Sequence, residues 1–364
     1  MKKTTKNNLI TFAGTVILCV TFGILNQAGI LNSMTSGLLE PIGIYVIMAI
    51  SLNLVVGVLG ELSLGHAGFM CIGAFSSATV SQILVNMGTV PTWLAFTVAI
   101  IVGAIFAAIL GILIGIPVMR LRGDYLAIVT LGFGEILKSL FNNIYITSDK
   151  NGLHFGFTKP PENIDAETKV ELLRGAKGTS APELTNFWVV AAVLIVCLFI
   201  LLMFIDSKSG RACQAVRDNY IAAQSVGINV TKFRLMAFTL SAAIAGAAGA
   251  LYAHSISNML PKKFDYNLSI LILVYVVLGG LGSLRGSIIA TIILYAIPEV
   301  LRIVNQNIIQ YRMLIYAIIL IFLMLWKNAP FFIHMREKIA ASGFVQNIKN
   351  KFRKKDKTSG GAEA

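Results

Sequence analysis

Charged side chains are scarce in this sequence, and their scarcity argues against a soluble enzyme or binding domain. Asp, Glu, Lys and Arg make up 13% of the 364 residues, whereas soluble proteins average about 25%. Hydrophobic residues make up 56%. Apolar runs of about 20 residues recur, and each is long enough to cross the hydrocarbon of a bilayer. The composition predicts an all-α polytopic membrane protein.

Catalytic and channel motifs are also missing. The sequence has no GxxxxGK[ST] motif, so we expect it not to bind ATP through a P-loop. It has no HExxH, CxxC or GxSxG motif, which would indicate metal, redox or acyl chemistry. It has neither the repeated arginines of a voltage sensor nor a TVGYG-type filter. We expect a chain that is not an enzyme and binds no cofactor or metal itself.

Cysteine is rare as well. The four cysteines are Cys19, Cys71, Cys197 and Cys213, and three of them lie in apolar segments. No two of them have metal-ligand spacing. We interpret them as packing residues rather than as a disulfide framework or a metal site.

The net charge of +13 comes from Lys and Arg in the N-terminus, the loops and the tail. Basic residues in short loops favour the cytoplasmic side of a membrane. We interpret the charge as a topology signal and expect no nucleic-acid partner.

About ten transmembrane helices, with eight as a lower limit, are predicted between residues 9 and 326. The first eight residues are expected to be a cytoplasmic N-terminus, and residues 327–364 a basic, disordered cytoplasmic tail. The loop at 142–186 then lies outside, and the loop at 206–234 lies inside. The predicted spans are roughly 9–30, 38–58, 66–86, 92–119, 124–141, 187–205, 234–254, 268–283, 286–304 and 312–326.

The loop at 206–234 is polar although an apolar run of membrane length lies on each side of it. It contains five Lys or Arg residues and two Asp residues. Residues 211–226 are predicted to form one short amphipathic helix, which Gly227 ends. Its polar face contains Arg211, Gln214, Arg217 and Asp218. A basic, structured cytoplasmic loop predicts a docking site for another protein.

Two further clusters contain polar residues within apolar sequence, where charge is costly. Asp124 begins a predicted helix and is expected to cap it, while Glu135 and Lys138 lie three residues apart. These carboxylates either line a translocation path or, for Glu135, form a local ion pair.

The second cluster contains Asn53, Glu61, Ser63 and His66. It either lines a path or is an ordinary loop with interfacial polar groups. We favour the second interpretation for Glu61 and His66. Asn53 is expected to bond across to a neighbouring helix.

Small residues recur at a spacing of four, as Ala242, Gly246 and Ala250 and as Gly111 and Gly115. This spacing predicts close helix packing rather than chemistry. A weak similarity between residues 58–68 and 277–287 indicates either an internal repeat or a chance match between glycine- and leucine-rich segments.

The loop at 206–234 resembles the coupling loop of ABC importer permeases, whose signature is E-A-A-x-x-x-G. Here the signature reads Ile221, Ala222, Ala223, three further residues and Gly227. The segment RLRGDYLAIVTLGFGEI at 120–136 and the turns LSLGHAGF and LGGLGSLRG are similar to those of LivM-type branched-chain amino acid importer permeases. The resemblance covers about residues 40–330.

This resemblance implies a permease subunit in a bacterial cell membrane. It would work with a second, LivH-like permease, two ABC ATPase subunits that use ATP and Mg, and an external solute-binding protein. The resemblance places the docking element at Arg211, Arg217, Asp218, Ala222, Ala223 and Gly227. Ile221 replaces the signature Glu, so a salt bridge from that position is absent.

The cargo stays open at this point. Branched-chain or related apolar amino acids are the first expectation. Urea, short amides, nucleosides or sugars are alternatives for the same machine, since fold does not fix cargo. An ion-coupled secondary transporter, with Glu135 or Asp124 as the coupling carboxylate, is an alternative of a different class.

Overall fold

A computed structural model describes most of the chain. The described residues are 2–29, 33–86, 91–121, 123–149, 152–159, 170–304 and the single residues 314, 318 and 321. The predicted tail at 327–364 lies outside them, and the tenth predicted span, 312–326, contains only the three single residues. The chain divides into two compact units, Met1–Ile297 and Pro298–Ala364, and the contacts below belong to the first.

The described residues are mostly helical. A π-helix, Leu54–Leu59, continues α2 without a break. Nine of the α-helices coincide with predicted spans, and α7 and α8 lie in the loop between α6 and α9. The α-helices are α1 (Lys2–Gln27), α2 (Ser33–Asn53), α3 (His66–Asn86), α4 (Thr92–Val118), α5 (Asp124–Asn143), α6 (Phe187–Asp206), α7 (Lys208–Asp218), α8 (Tyr220–Ser225), α9 (Val230–His254), α10 (Tyr266–Gly279) and α11 (Leu284–Val304).

Six helices of the described chain are long and apolar enough to cross a membrane, so the expected eight to ten spans are not confirmed. Helix α10 has only 14 residues, whereas a span needs about 20. The apolar part of α11, Leu284–Pro298, is also short. The six qualifying segments are Asn8–Gln27, Thr35–Leu59, His66–Asn86, Thr92–Val118, Phe187–Asp206 and Val230–His254.

The outer face of α4 shows why these helices suit a lipid environment. Isoleucines recur on it at the spacing of one helical turn and are about half exposed; they are Ile101, Ile105, Ile109, Ile112 and Ile116. The opposite face of α4 has small buried residues, among them Ala99, Gly103 and Ala107. Large apolar side chains therefore face outward, while small residues face the bundle.

The bundle core is a close contact of α3, α4 and α9, as the small-residue spacing predicted. A Cβ atom added at Gly246 would lie 2.4 Å from the Ala107 side chain, and one at Gly111 would lie 2.7 Å from that of Ala242. A Cβ atom at Gly73 would lie 2.1 Å from the Gly246 carbonyl oxygen. Even alanine would force these helices apart, because real Cβ atoms do not approach so closely.

One end of the bundle collects α7, α8, the end of α6 and the beginnings of α1 and α9. Asn8 Nδ2 donates to Asp206 Oδ1 at 2.9 Å, so α1 and α6 are antiparallel. The π-helix also ends here, because the Arg217 guanidinium contacts Gly57. We name this the α7 end. The predicted location of the N-terminus and the 206–234 loop on one side agrees with these contacts.

The predicted all-α description is wrong for the loop at 142–186. That loop contains an antiparallel sheet of β1 (Ile144–Asp149), β2 (Gly152–Phe157) and β3 (Val170–Arg174), in the order β2-β1-β3. The strands are rich in β-branched and aromatic residues, which suit a sheet. They are also far shorter than a membrane span, so a search for long apolar runs does not detect them.

Candidate functional site

The segment between α6 and α9 forms two short helices, so the prediction of a single helix over 211–226 is wrong. Helix α7 ends at Asp218, and Asn219 has an extended backbone. The Asn219 side-chain oxygen accepts hydrogen bonds from the backbone nitrogens of Ile221 and Ala222, both at 3.1 Å. Asparagine competes with helical hydrogen bonding in this way and begins a new helix instead.

Gly227 ends α8, as predicted. Its φ of +84° is a left-handed conformation that glycine adopts without strain. The Gly227 nitrogen donates to the Gln224 oxygen at 3.0 Å, and the Ile228 nitrogen donates to the Ala223 oxygen at 3.1 Å. This pair of bonds is a Schellman motif. No atom lies within 4 Å of a Cβ built at Gly227, so only its backbone conformation requires glycine.

The predicted docking residues do not share one surface. Ala222 is exposed, but Ala223 is 4% exposed and packs inward. Arg211 is exposed and donates to the Asp206 carbonyl oxygen at 3.1 Å. Arg217 points partly inward: it donates to the Gly57 carbonyl oxygen at 2.8 Å and pairs with Asp218 at 3.1 Å.

Two exposed apolar side chains on α8 and its end were not predicted as docking residues. Ile221 is 63% exposed and Val226 is 74% exposed. Both residues lie in a polar segment outside the long apolar helices. Large exposed apolar side chains in such a segment mark an interaction surface. The sequence feature that could have indicated this apolar surface is Ile221, which stands where the signature has Glu.

Asn53 connects the π-helix to the turn between α10 and α11. Its Nδ2 donates to Ser287 Oγ at 2.6 Å, and its Oδ1 accepts from the Gly282 nitrogen at 3.0 Å. The side chain is fully buried. The expected bond to a neighbouring helix is therefore confirmed. A Cβ built at Gly57 would clash with Gly282. The end of the π-helix therefore lies beside the turn between α10 and α11, which belongs to the second of the two similar segments. The internal repeat itself stays a prediction.

Glu61 and His66 are buried and are not the ordinary exposed loop groups of the preferred interpretation. Glu61 Oε1 pairs with Arg234 of α9 at 2.7 Å, and both side chains are about nine-tenths buried. Arg234 was not predicted as a partner, because it lies far along the chain in the basic loop whose charges were interpreted as a topology signal. A cavity of about 550 Å³ lies beside it, lined by Met119, Arg120, Gln224, Gly227, Ile228, Asn229, Val230, Thr231 and Arg234.

The His66 ring lies between two serines. Its Nε2 is 2.9 Å from Ser51 Oγ and 3.1 Å from Ser241 Oγ. Ser63, three residues earlier, is also fully buried. Among the described residues, Ser63 Oγ and His66 Nδ1 have no hydrogen-bond partner.

The two acidic candidates on α5 lie apart from this buried cluster. Asp124 is exposed and is the first residue of α5; the capping position is Gly123, without a side-chain cap, so the predicted capping role is wrong. Glu135 pairs with Lys138, which confirms the local ion pair, and its Oε1 accepts from the Tyr266 nitrogen at 3.0 Å. Glu135 thus fixes the start of α10.

Metal ligands do not cluster in the part of the chain that the structure describes. No group of three or more His, Cys, Asp or Glu residues there could hold a metal ion. Buried polar contacts of the described bundle include the Asn53 link, the Glu61–Arg234 pair and the His66 cluster.

These features define a multi-pass helical membrane protein with a capped pair of short helices between two spans. A family model described as "Branched-chain amino acid transport system / permease component" matches residues 34–324. The chain belongs to this family.

Curated relatives agree with that assignment. The chain is 37% identical over 295 residues to LivM of Escherichia coli, a high-affinity branched-chain amino acid transport system permease, covering 78% of this chain and 66% of that protein. It is 24% identical over 250 residues to LivH of Salmonella typhimurium, covering 69% and 79%. It is 26% identical over 209 residues to the nucleoside permease NupC of Lactococcus lactis, covering 55% and 60%. The match spans just under two thirds of the Escherichia coli LivM.

Proposed function

We propose that this chain is the membrane-spanning permease subunit of an ATP-driven ABC importer for branched-chain or related apolar amino acids. Two ABC ATPase subunits would hydrolyse ATP with Mg, a LivH-like second permease would complete the pathway, and an external solute-binding protein would deliver the cargo. The chain would hold no ATPase site. The names of the LivM and LivH relatives support the cargo.

The observation that carries the proposal is the connection from the loop helices into the bundle. The α7–α8 pair presents exposed Ile221 and Val226, while Arg217 at the end of α7 bonds to Gly57 of the π-helix. A partner that docks on α8 and moves would pull on a segment that lies inside the bundle. Such rigid coupling suits alternating access, in which parts of a bundle rock against each other.

We further propose that the α7 end faces the cytoplasm of a bacterial cell, with both chain termini on that side and about ten crossings. The basic composition of the 206–234 loop supports this orientation. With α5, α10 and α11 also crossing, nine helices would traverse the membrane. Residues 312–326 would supply the tenth.

A nucleoside importer is a second candidate, because NupC is among the relatives. The identity to NupC is lower than the identity to LivM, and the match covers less of the chain, so amino acids are favoured as the cargo. The two candidates differ in the solute that the assembled importer accumulates, so uptake of labelled leucine and of labelled uridine separates them.

Reconstitution tests the proposal. The chain would be co-expressed with its proposed ATPase, permease and binding-protein partners, purified and placed in liposomes with ATP inside. We expect leucine uptake that needs ATP and is unaffected by dissipating ion gradients. Replacement of Gly227 and Ala223 with Val and Leu should abolish uptake while the protein remains in the membrane. Uptake driven by an ion gradient without ATPase subunits would contradict the proposal.

A further inference from the structure

We propose that the beginning of α3 binds the charged groups of the transported amino acid, with Ser63 and His66 as its hydrogen-bonding side chains. This site deepens the proposed function and takes the chemical class of its cargo from it. The described contacts and burial of the two residues carry the argument.

The site lies near the middle of the bundle. Ser241, which contacts His66, is 11 residues into the 25-residue helix α9, or about 16 Å along an axis of about 37 Å. Ser51, the other contact, lies eight residues before Leu59, where the π-helix ends, or about 12 Å from it. Residues 60–65 therefore lead from the α7 end back into the bundle, and α3 begins there.

The hydrogen bonds of the two serines assign the His66 tautomer. Ser51 Oγ donates its proton to the Met48 oxygen at 2.8 Å, and Ser241 Oγ donates its proton to the Ser51 oxygen at 2.5 Å. A hydroxyl has one proton, so in this arrangement both oxygens accept from His66. We therefore assign the ring proton to Nε2, which shares it between the two serine oxygens. In the neutral ring, Nδ1 is then an acceptor.

That acceptor and the Ser63 hydroxyl lack partners among the residues that the structure describes. Both side chains are 0% exposed. Buried polar groups are almost always hydrogen-bonded, so each such exception needs an explanation. A ligand present in another state of the transport cycle would supply the missing bonds.

His254 shows what a buried histidine with a purely structural role looks like in the same bundle. It is also 0% exposed. Its Nε2 is 3.2 Å from Ser77 Oγ, and its Nδ1 is 3.0 Å from the Pro182 carbonyl oxygen. Both nitrogens of His254 have partners. The open acceptor is a property of His66, not of buried histidines in this fold.

The chemistry of the site matches a zwitterion. The N-terminus of α3 has a partial positive charge, and the Ser63 hydroxyl can donate, so both suit a carboxylate. The His66 Nδ1 acceptor suits an ammonium group. Phe69 packs edge to face against the His66 ring at 6.1 Å and against Phe238 at 5.4 Å between ring centroids, and these rings offer apolar surface to an aliphatic side chain. The site is closed here and would open during alternating access.

The test uses the assembled importer in liposomes, with leucine uptake, ATP hydrolysis and thermal stability measured for each variant. We expect Ser63→Ala and His66→Phe to lower leucine moved per ATP about tenfold or more, the size of a lost hydrogen bond to a charged group. His66→Gln keeps an acceptor and should recover part of the loss. Ser77→Ala and His254→Gln are matched controls with equal burial, expected to change this ratio less than twofold.

Photolabelling decides the matter even if a variant fails to fold. A diazirine analogue of leucine, activated during turnover of the wild-type importer, should label the peptide that contains Ser63 and His66, and excess leucine should suppress the label. Labelling elsewhere only would mean that water satisfies these atoms and would overturn the site. The site would also be overturned if Ser63→Ala and His66→Phe moved as much leucine per ATP as the control variants. A wild-type importer that moves no amino acid would instead refute the proposed function.

Discussion

The Arg217 guanidinium donates to the Gly57 carbonyl oxygen at 2.8 Å, across 160 residues of sequence. Arg217 lies at the end of α7, and Gly57 lies in the π-helix that extends α2. This bond is the direct polar contact between the loop helices and the segment that leads to Glu61, Ser63 and His66. Under the proposed function, movement of α7 would act on these buried polar residues through the backbone of the π-helix.

Replacing Arg217 with Ala should weaken coupling between α7 and the bundle. A hydrogen bond of this kind contributes about 1 kcal/mol, so we expect leucine uptake to fall about fivefold and proteolysis between α6 and α9 to increase. Lys208→Ala is the matched control, since Lys208 is an exposed basic residue at the start of the same helix. Equal effects of the two variants in the liposome assay would contradict this role.

Replacing Gly227 should act through backbone strain alone. Its φ is +84° and nothing lies within 4 Å of a Cβ built there. Alanine should destabilise the turn by about 1–2 kcal/mol, and valine by more, while asparagine should be tolerated best. Uptake and protease sensitivity would follow that order. Gly132→Ala in α5 is the control, because its surroundings are equally open and its backbone is helical.

Replacing Asn53 with Ala should destabilise the bundle rather than remove a transport group. The change leaves the Gly282 nitrogen and the Ser287 hydroxyl without their buried partner, at a cost of about 1–3 kcal/mol. We expect a lower midpoint of thermal unfolding in detergent. Ser76→Ala is the comparison, because that hydroxyl bonds only within its own helix. A normal midpoint for Asn53→Ala would contradict the structural role.

The helix positions were predictable because apolar runs and glycine stops are local signals. The nine predicted spans within the described chain all became helices, and Gly227 ended α8 as expected. The break at Asn219 was not predicted, since the amphipathic pattern continues through it. Arg234 and Ser241, the α9 partners of Glu61 and His66, lie more than 170 residues away, and long-range contacts leave no local pattern. The sheet strands were too short for a search based on span length.

Cys213 should resist alkylation in the folded protein. Burial raises the pKa of its thiol from 9.0 to about 11, and only the thiolate reacts. Iodoacetamide at pH 8 should modify it slowly until the protein unfolds. Because the unfolded thiol ionises first as pH rises past 9, stability should also fall between pH 9 and 11. Rapid native alkylation, followed by mass spectrometry of the α7 peptide, would contradict its burial.

The π-helix at Leu54–Leu59 makes this region sensitive to residue number as well as residue type. A π-turn holds its chain with bonds five residues apart, whereas an α-turn uses four. A π-turn therefore holds one residue more than an α-turn along nearly the same path. Deleting one residue within 54–59 would let the segment relax into an α-helix, and Glu61 and the start of α3 would keep nearly the same orientation. The change would fall on the turn itself, where the Gly57 carbonyl oxygen accepts from Arg217. A one-residue deletion in this stretch therefore tests the contact between α7 and the π-helix while every residue after it stays in register.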